Sequence, residues 1–199
     1  MELDSKIREE LHFLIMEVMG QIGATGNYLS SFDQSFCRQV LKKEDYIDNL
    51  RTNIENQCFS LLITHPDLEQ QTVNRVRGIH TISTNLKHIS SFAVNIVRQV
   101  EFLFDRTLWL SFDAASMLAI IENCLEQIAP ALENSDMGQA LDLCHCEFEI
   151  DRLYLVNFNR IMADLRKGSS IESYITILFI FRYLERIGDA LLNIGEATL

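Results

Sequence analysis

The chain has 199 residues, 48 % of them hydrophobic, with only two prolines and eight glycines; this is enough apolar mass for a buried core, excludes a disordered chain, and favours long helices over short strands and turns. A formal net charge of −11 repels the phosphate backbone of nucleic acid and so excludes DNA or RNA as partner. The acidic N-terminus carries no export pattern, and the longest apolar run, Tyr174 to Phe181, falls far short of the roughly twenty residues of a membrane span, so a cytoplasmic protein is expected, with that run as a buried helix segment.

Apolar spacings of three and four predict six helices in chain order: Leu3 to Ser31, Asp33 to Thr64, Asp67 to Phe104, Ser111 to Glu133, Ser135 to Arg166 and Ser170 to Ala197. Pro66 suits the first turn of the third helix. Ser169-Ser170-Ile171-Glu172 reads as a capping box, and Lys167-Gly168 as the stop before it. Short loops imply antiparallel neighbours, so the expected fold is all-α, six long helices forming two antiparallel three-helix bundles. The five cysteines, Cys37, Cys58, Cys124, Cys144 and Cys146, show no CxxC spacing and are read as free thiols in a reducing compartment. Cys144-His145-Cys146 cannot converge on one ion, because adjacent helical residues diverge by about 100°.

The halves repeat. Leu86 to Ile96 aligns with Leu184 to Ile194, 98 residues on, and Glu44 to Leu50 aligns with Glu147 to Leu153, 103 residues on. The expected units are residues 1–106 and 107–199. On the last helix Arg182, Glu185, Arg186, Asp189, Asn193 and Glu196 share one arc, while Ile180, Leu184, Ile187, Leu191 and Ile194 face the core. Glu147 and Asp151 share a face of the preceding helix. If these faces adjoin, four carboxylates meet. Carboxylates about 6 Å apart repel by roughly 3 kcal/mol per pair at an effective dielectric near 20, so cations must join them. Arginines supply one answer, through Arg182–Glu185 and Arg186–Asp189 ion pairs; a hard metal ion supplies the other.

The stretch Arg182-Tyr183-Leu184-Glu185-Arg186-Ile187-Gly188-Asp189, followed by Asn193, closely resembles the signature of PhoU proteins. The resemblance implies a six-helix fold whose acidic motifs bind metal, often as multinuclear iron clusters, which makes Glu147, Asp151, Glu185 and Asp189 candidate ligands for iron, manganese, magnesium or calcium. Arg182, Arg186 and Asn193 then act around them. The first half departs from the pattern: Glu44 and Asp48 remain, but Lys87 stands where the glutamate is expected, Ser91 for the aspartate and Ser90 for the glycine. Lys87 is therefore expected to neutralise Glu44 or Asp48 directly, leaving metal to the second half alone.

By the same resemblance the chain is an adaptor that damps phosphate uptake and starvation signalling. Its partners would be a transporter subunit, either an ATPase or a carrier, and a sensor kinase, so that it meets the membrane only through them. A homodimer is also implied, although no heptad seam is long enough to specify it. Enzyme motifs such as GxSxG, phosphate-binding glycine loops and HExxH are absent from the sequence. Two other readings stay open. One is a helical interaction module unrelated to phosphate; the other is a di-iron carboxylate oxidase, for which Glu9-Glu10-Leu11-His12 supplies one ExxH and Asp142-Leu143-Cys144-His145 a distant imitation. His65, His80 and His88 fall at no ligand spacing with one another.

Overall fold

A computed structural model describes residues 2–134, 137–167 and 171–198. Among these the α-helices are α1 (Glu2–Ser31), α2 (Gln34–Thr64), α3 (Gln70–Gln99), α4 (Arg106–Leu110), α5 (Ala114–Asn134), α6 (Met137–Leu165) and α7 (Ile171–Thr198). Six are long, as expected. The seventh, α4, lies between the predicted third and fourth helices: a 3-10 turn at Val100–Phe102 ends α3, and Asp105 then caps α4 by accepting from the Leu108 amide at 2.8 Å.

Helix α3 starts at Gln70, not Asp67, because Pro66 lies in the turn after α2 and not in a first helical turn. Asp33 opens α2, accepting from the Ser35 amide at 2.8 Å. The capping box and glycine stop read at 168–170 lie outside the described residues.

Helices α1, α2 and α3 pack on one another, as do α5, α6 and α7, and the two groups join along α3–α7 and α1–α5. Heptad spacing sets the inward face of α2, where Val40, Ile47, Ile54 and Leu61 are all buried. Each such side chain contributes about 1.5–3 kcal/mol on leaving water. Along the α3–α7 seam the chains run antiparallel: Thr176 Oγ1 donates to the Phe102 carbonyl at 3.2 Å, Tyr183 stacks on Phe92 at 6.3 Å, and Asn193 donates to Asn85 at 3.3 Å.

The link between the groups is anchored by Trp109, whose Nε1 donates to the Leu29 carbonyl at 2.8 Å. Leu29 lies in the last turn of α1, whose carbonyls have no helical partner. Trp109→Phe is expected to cost about 1–3 kcal/mol by leaving that buried carbonyl unpaired; a denaturant midpoint equal to that of the wild type would refute this.

Two sequence expectations are corrected in the core. Cys124 of α5 and Cys146 of α6 face each other and form a disulfide, leaving Cys37, Cys58 and Cys144 free. The pair comes from helix packing across 22 residues, so no local spacing announces it. The run from Tyr174 to Phe181 is not buried throughout: Ile175 and Phe179 are exposed while Ile177, Ile180 and Phe181 are sealed. Among the described residues no helix is long and apolar enough to cross a membrane.

Candidate functional site

Glycine sets how closely the two acidic helices approach. A Cβ at Gly188 would stand 3.0 Å from Ile150 Cγ2, and one at Gly195 would stand 2.7 Å from Cys144 Sγ and 3.1 Å from the Ala140 carbonyl. These contacts fix the antiparallel register, so that Glu147 lies opposite Asp189, and Asp151 opposite Glu185.

The electrostatics follow that register. Burial pushes the Glu147 carboxyl above its ordinary pKa, and the charges of Asp151 and Asp189 push it further. Burial likewise raises Glu185, joined by repulsion from Asp189 and Asp151 and opposed by Arg182 and Arg186. Each of the two glutamates thus feels the charge of both aspartates. Arg182 donates to Glu185 Oε1, Arg186 donates to Asp189 Oδ2 at 3.0 Å, and Arg182 also lies over the Tyr154 ring at 5.8 Å. The side chain of Glu185 is only 10 % exposed, and its Oε2 is buried with no hydrogen-bond partner. The donor set is entirely hard oxygen, which suits a hard cation. Among the described residues, no three His, Cys, Asp or Glu groups stand together as a ready-made metal cage.

A raised carboxyl pKa in the folded state gives stability that is complete below the unfolded value and lost as pH rises through the folded value. Glu147→Gln should therefore stabilise the metal-free protein at pH 7.5, with the gain shrinking to nothing as pH falls below about 4.3, the ordinary glutamate value. A gain independent of pH would show that Glu147 is not repelled by its neighbours.

The first half is arranged differently. Glu44 pairs with Arg98 at 3.1 Å and Asp48 with Arg51 at 3.7 Å, and among the described residues no ion pair joins either to Lys87. The expected direct neutralisation by Lys87 is corrected: nearer arginines do it. Arg98 was missed because it reaches Glu44 from 54 residues away, although Arg51, three residues after Asp48, was legible. Asn193, expected to act around the carboxylates, donates to Asn85 across the seam, beside a groove of about 390 Å³ lined by Arg77, Thr81 and Glu196.

A family model described as the PhoU domain matches twice, over residues 4–100 and 114–198. The chain belongs to the PhoU family. The "Phosphate-specific transport system accessory protein PhoU homolog" of Clostridium acetobutylicum is 24 % identical, with 96 % of this chain and 90 % of that protein covered. The corresponding homolog 1 of Methanothermobacter thermautotrophicus is 26 % identical over 86 % of this chain and 79 % of its own. Among solved structures, PhoU from Pseudomonas aeruginosa superposes with a TM-score of 0.88 at 20 % identity, covering 99 % of this chain and 95 % of that one. The phosphate transport system regulatory protein PhoU from Streptococcus pneumoniae gives 0.87 at 20 % identity, with 99 % and 93 % covered. The all-α PhoU fold is thus established.

Within this PhoU fold the oxidase constellation does not assemble. Glu9 and His12 line a cleft of about 450 Å³ between α1 and α5, with Arg8, Leu11 and Ala129, whereas Asp142 and His145 are exposed on α6. The Cys144-His145-Cys146 tripeptide diverges as its helix geometry requires: Cys144 fits under Gly195, His145 lies beside Phe148, and Cys146 is in the disulfide. His80 contacts Glu55 at 3.3 Å.

Proposed function

We propose that this chain is a cytoplasmic adaptor that regulates phosphate uptake and phosphate-starvation signalling by binding other proteins, without catalysis of its own. The observation that carries the reading is the double PhoU match across nearly the whole chain, together with full-length likeness to proteins named as accessory to phosphate-specific transport. Its partners on this reading are a transporter subunit, ATPase or carrier, and a sensor kinase. It reaches the membrane only through them and works as a homodimer of two-repeat chains, with repeats 1–106 and 107–199. Deleting the gene should raise phosphate uptake and turn on starvation genes in phosphate-replete cells. Unchanged uptake and expression would instead favour a helical module unrelated to phosphate.

The second repeat on this reading also carries a metal site, with Glu147, Asp151, Glu185 and Asp189 as ligands. The four oxygen-donor side chains, the orphaned Glu185 Oε2 and the mutual repulsion of the carboxyls support it. Iron, manganese, magnesium or calcium would supply positive charge that clamps α6 to α7. Glu185→Ala and Asp189→Ala are expected to strip most of the metal from purified protein, and Glu44→Ala to leave it in place. Equal loss from the two halves would overturn the assignment.

A further inference from the structure

The Cys124–Cys146 bond between α5 and α6 is at odds with the compartment proposed above. Disulfides persist in oxidising compartments, whereas those of cytosolic proteins are as a rule transient, opening and closing with the thiol pool. The two sulfurs are also unequally placed. Cys124 is sealed on α5, whereas Cys146 is only partly buried on α6, between the exposed His145 and Phe148 in the chain.

A thiolate opens a disulfide by attacking one sulfur in line with the bond that breaks. With Cys124 on the inner side, the line beyond Cys146 Sγ leads outward, so a small thiol reaches that sulfur and not its partner. The fold does not depend on the bond: Ile121, Leu125 and Ile128 of α5 and Leu143 and Ile150 of α6 are sealed core residues. Helix α6 packs more extensively on α7 than on α5, so the bond ties down the lesser of these two interfaces. Helix α5 also meets α1 across the join between the halves, and its hold on α6 therefore bears on that join.

We infer that Cys124–Cys146 is a reversible redox link, opened at Cys146 by a low-molecular-weight thiol and remade by the corresponding disulfide, which releases and fastens α5. The inference rests on the cytoplasmic part of the reading above. In opening, a thiolate RS⁻ bonds to Cys146 Sγ; the S–S bond breaks and its electron pair leaves with Cys124, which takes up a proton. A second RS⁻ attacks the RS sulfur of the mixed disulfide, Cys146 leaves as a thiol, and RSSR is released. Two RSH are thereby oxidised to RSSR, and the protein gains two electrons and two protons. Closure is the reverse, with RSSR thiolating Cys146 and Cys124 then expelling RS⁻. Cys144 Sγ lies against Gly195 on α7 and takes no part.

The test takes the full chain, without denaturant, through glutathione buffers from reduced to oxidised, and counts free thiols by acid quenching, unfolding, alkylation and intact mass. Three alkylated cysteines are expected at the oxidising end and five at the reducing end, with passage in both directions, and C144S should pass between the two states like wild type. Opening the link should lower Tm by about 6–12 °C, from the loop it releases in a chain of this size. It should also speed amide exchange in α5 by about ten- to hundredfold while leaving α3 unchanged. Oxidised glutathione should load one glutathione on C124S, at Cys146, and none on Cys124 of C146S; peptide mapping of the mixed disulfide trapped during reduction of wild type decides the point if a variant does not fold. In acid-quenched cells the link should be open during growth and closed after diamide, which turns the thiol pool into disulfide. A link that no thiol opens in the folded chain, glutathione carried on Cys124, or a Tm and α5 exchange indifferent to the redox state overturns the inference and leaves the adaptor reading standing. A link closed in untreated cells, with the chain fractionating outside the cytoplasm, overturns both the inference and the cytoplasmic reading.

Discussion

Phe181→Ala is expected to destabilise the protein by about 3–5 kcal/mol, which for a chain of this size lowers Tm by roughly 6–20 °C. Phe181 is fully buried on α7, with ring centroids 5.7 Å from Trp109 and 5.8 Å from Phe112. Those two aromatics hold the segment that crosses from one three-helix group to the other. Truncation leaves a cavity beneath it, lined by rigid rings that cannot collapse inward. Phe179, two residues earlier, is 48 % exposed, so Phe179→Ala should change stability by no more than about 0.5 kcal/mol. Thermal or denaturant melts of the two variants settle it, and comparable losses would mean that the inward face of α7 is wrongly assigned.

Gly195→Leu should cost about 3 kcal/mol, at the upper end for overpacking, despite the roughly 1 kcal/mol that a helix gains on losing glycine. The obstacle at Gly195 includes backbone, the Ala140 carbonyl and the Cys144 amide, each 3.1 Å from where a Cβ would stand, as well as Cys144 Sγ. At Gly188 the nearest atoms are all side chain, Ile150 Cγ2 at 3.0 Å and its Cβ and Cδ1 at 3.3 Å, so a few tenths of an ångström of side-chain movement relieves the contact where backbone would have to shift at Gly195. Gly195→Ala should therefore be more destabilising than Gly188→Ala, as read from denaturant midpoints. The reverse order would mean that α6 and α7 are closest at their other end.

The sequence was most informative where a property belongs to one helix. The inward stripe Ile180, Leu184, Ile187, Leu191 and Ile194 is wholly buried as its periodicity required, and Arg182 and Arg186 bind the carboxylates three residues on. What depends on a neighbouring helix was not legible. Glu185 sits on a polar arc yet is nine-tenths buried, because Gly188 lets α6 close over that side. The Cys124–Cys146 bond, the Asn193–Asn85 pair and the Arg98–Glu44 pair all join separate elements, and no local pattern encodes them. Helix α4 is only five residues long, too short for any periodicity to register, though Asp105 ahead of Leu108 carried its capping signal.

The way the halves meet has a consequence for how such a chain is put together. Third helix lies on third helix and first on first, α3 on α7 and α1 on α5, so equivalent surfaces of the two family matches face each other. That is the layout of a two-fold dimer whose subunits have been fused in tandem. Divergence after such a fusion frees each copy from serving both roles, and one can keep four carboxylates on facing helices while the other keeps two and pairs them with Arg98 and Arg51.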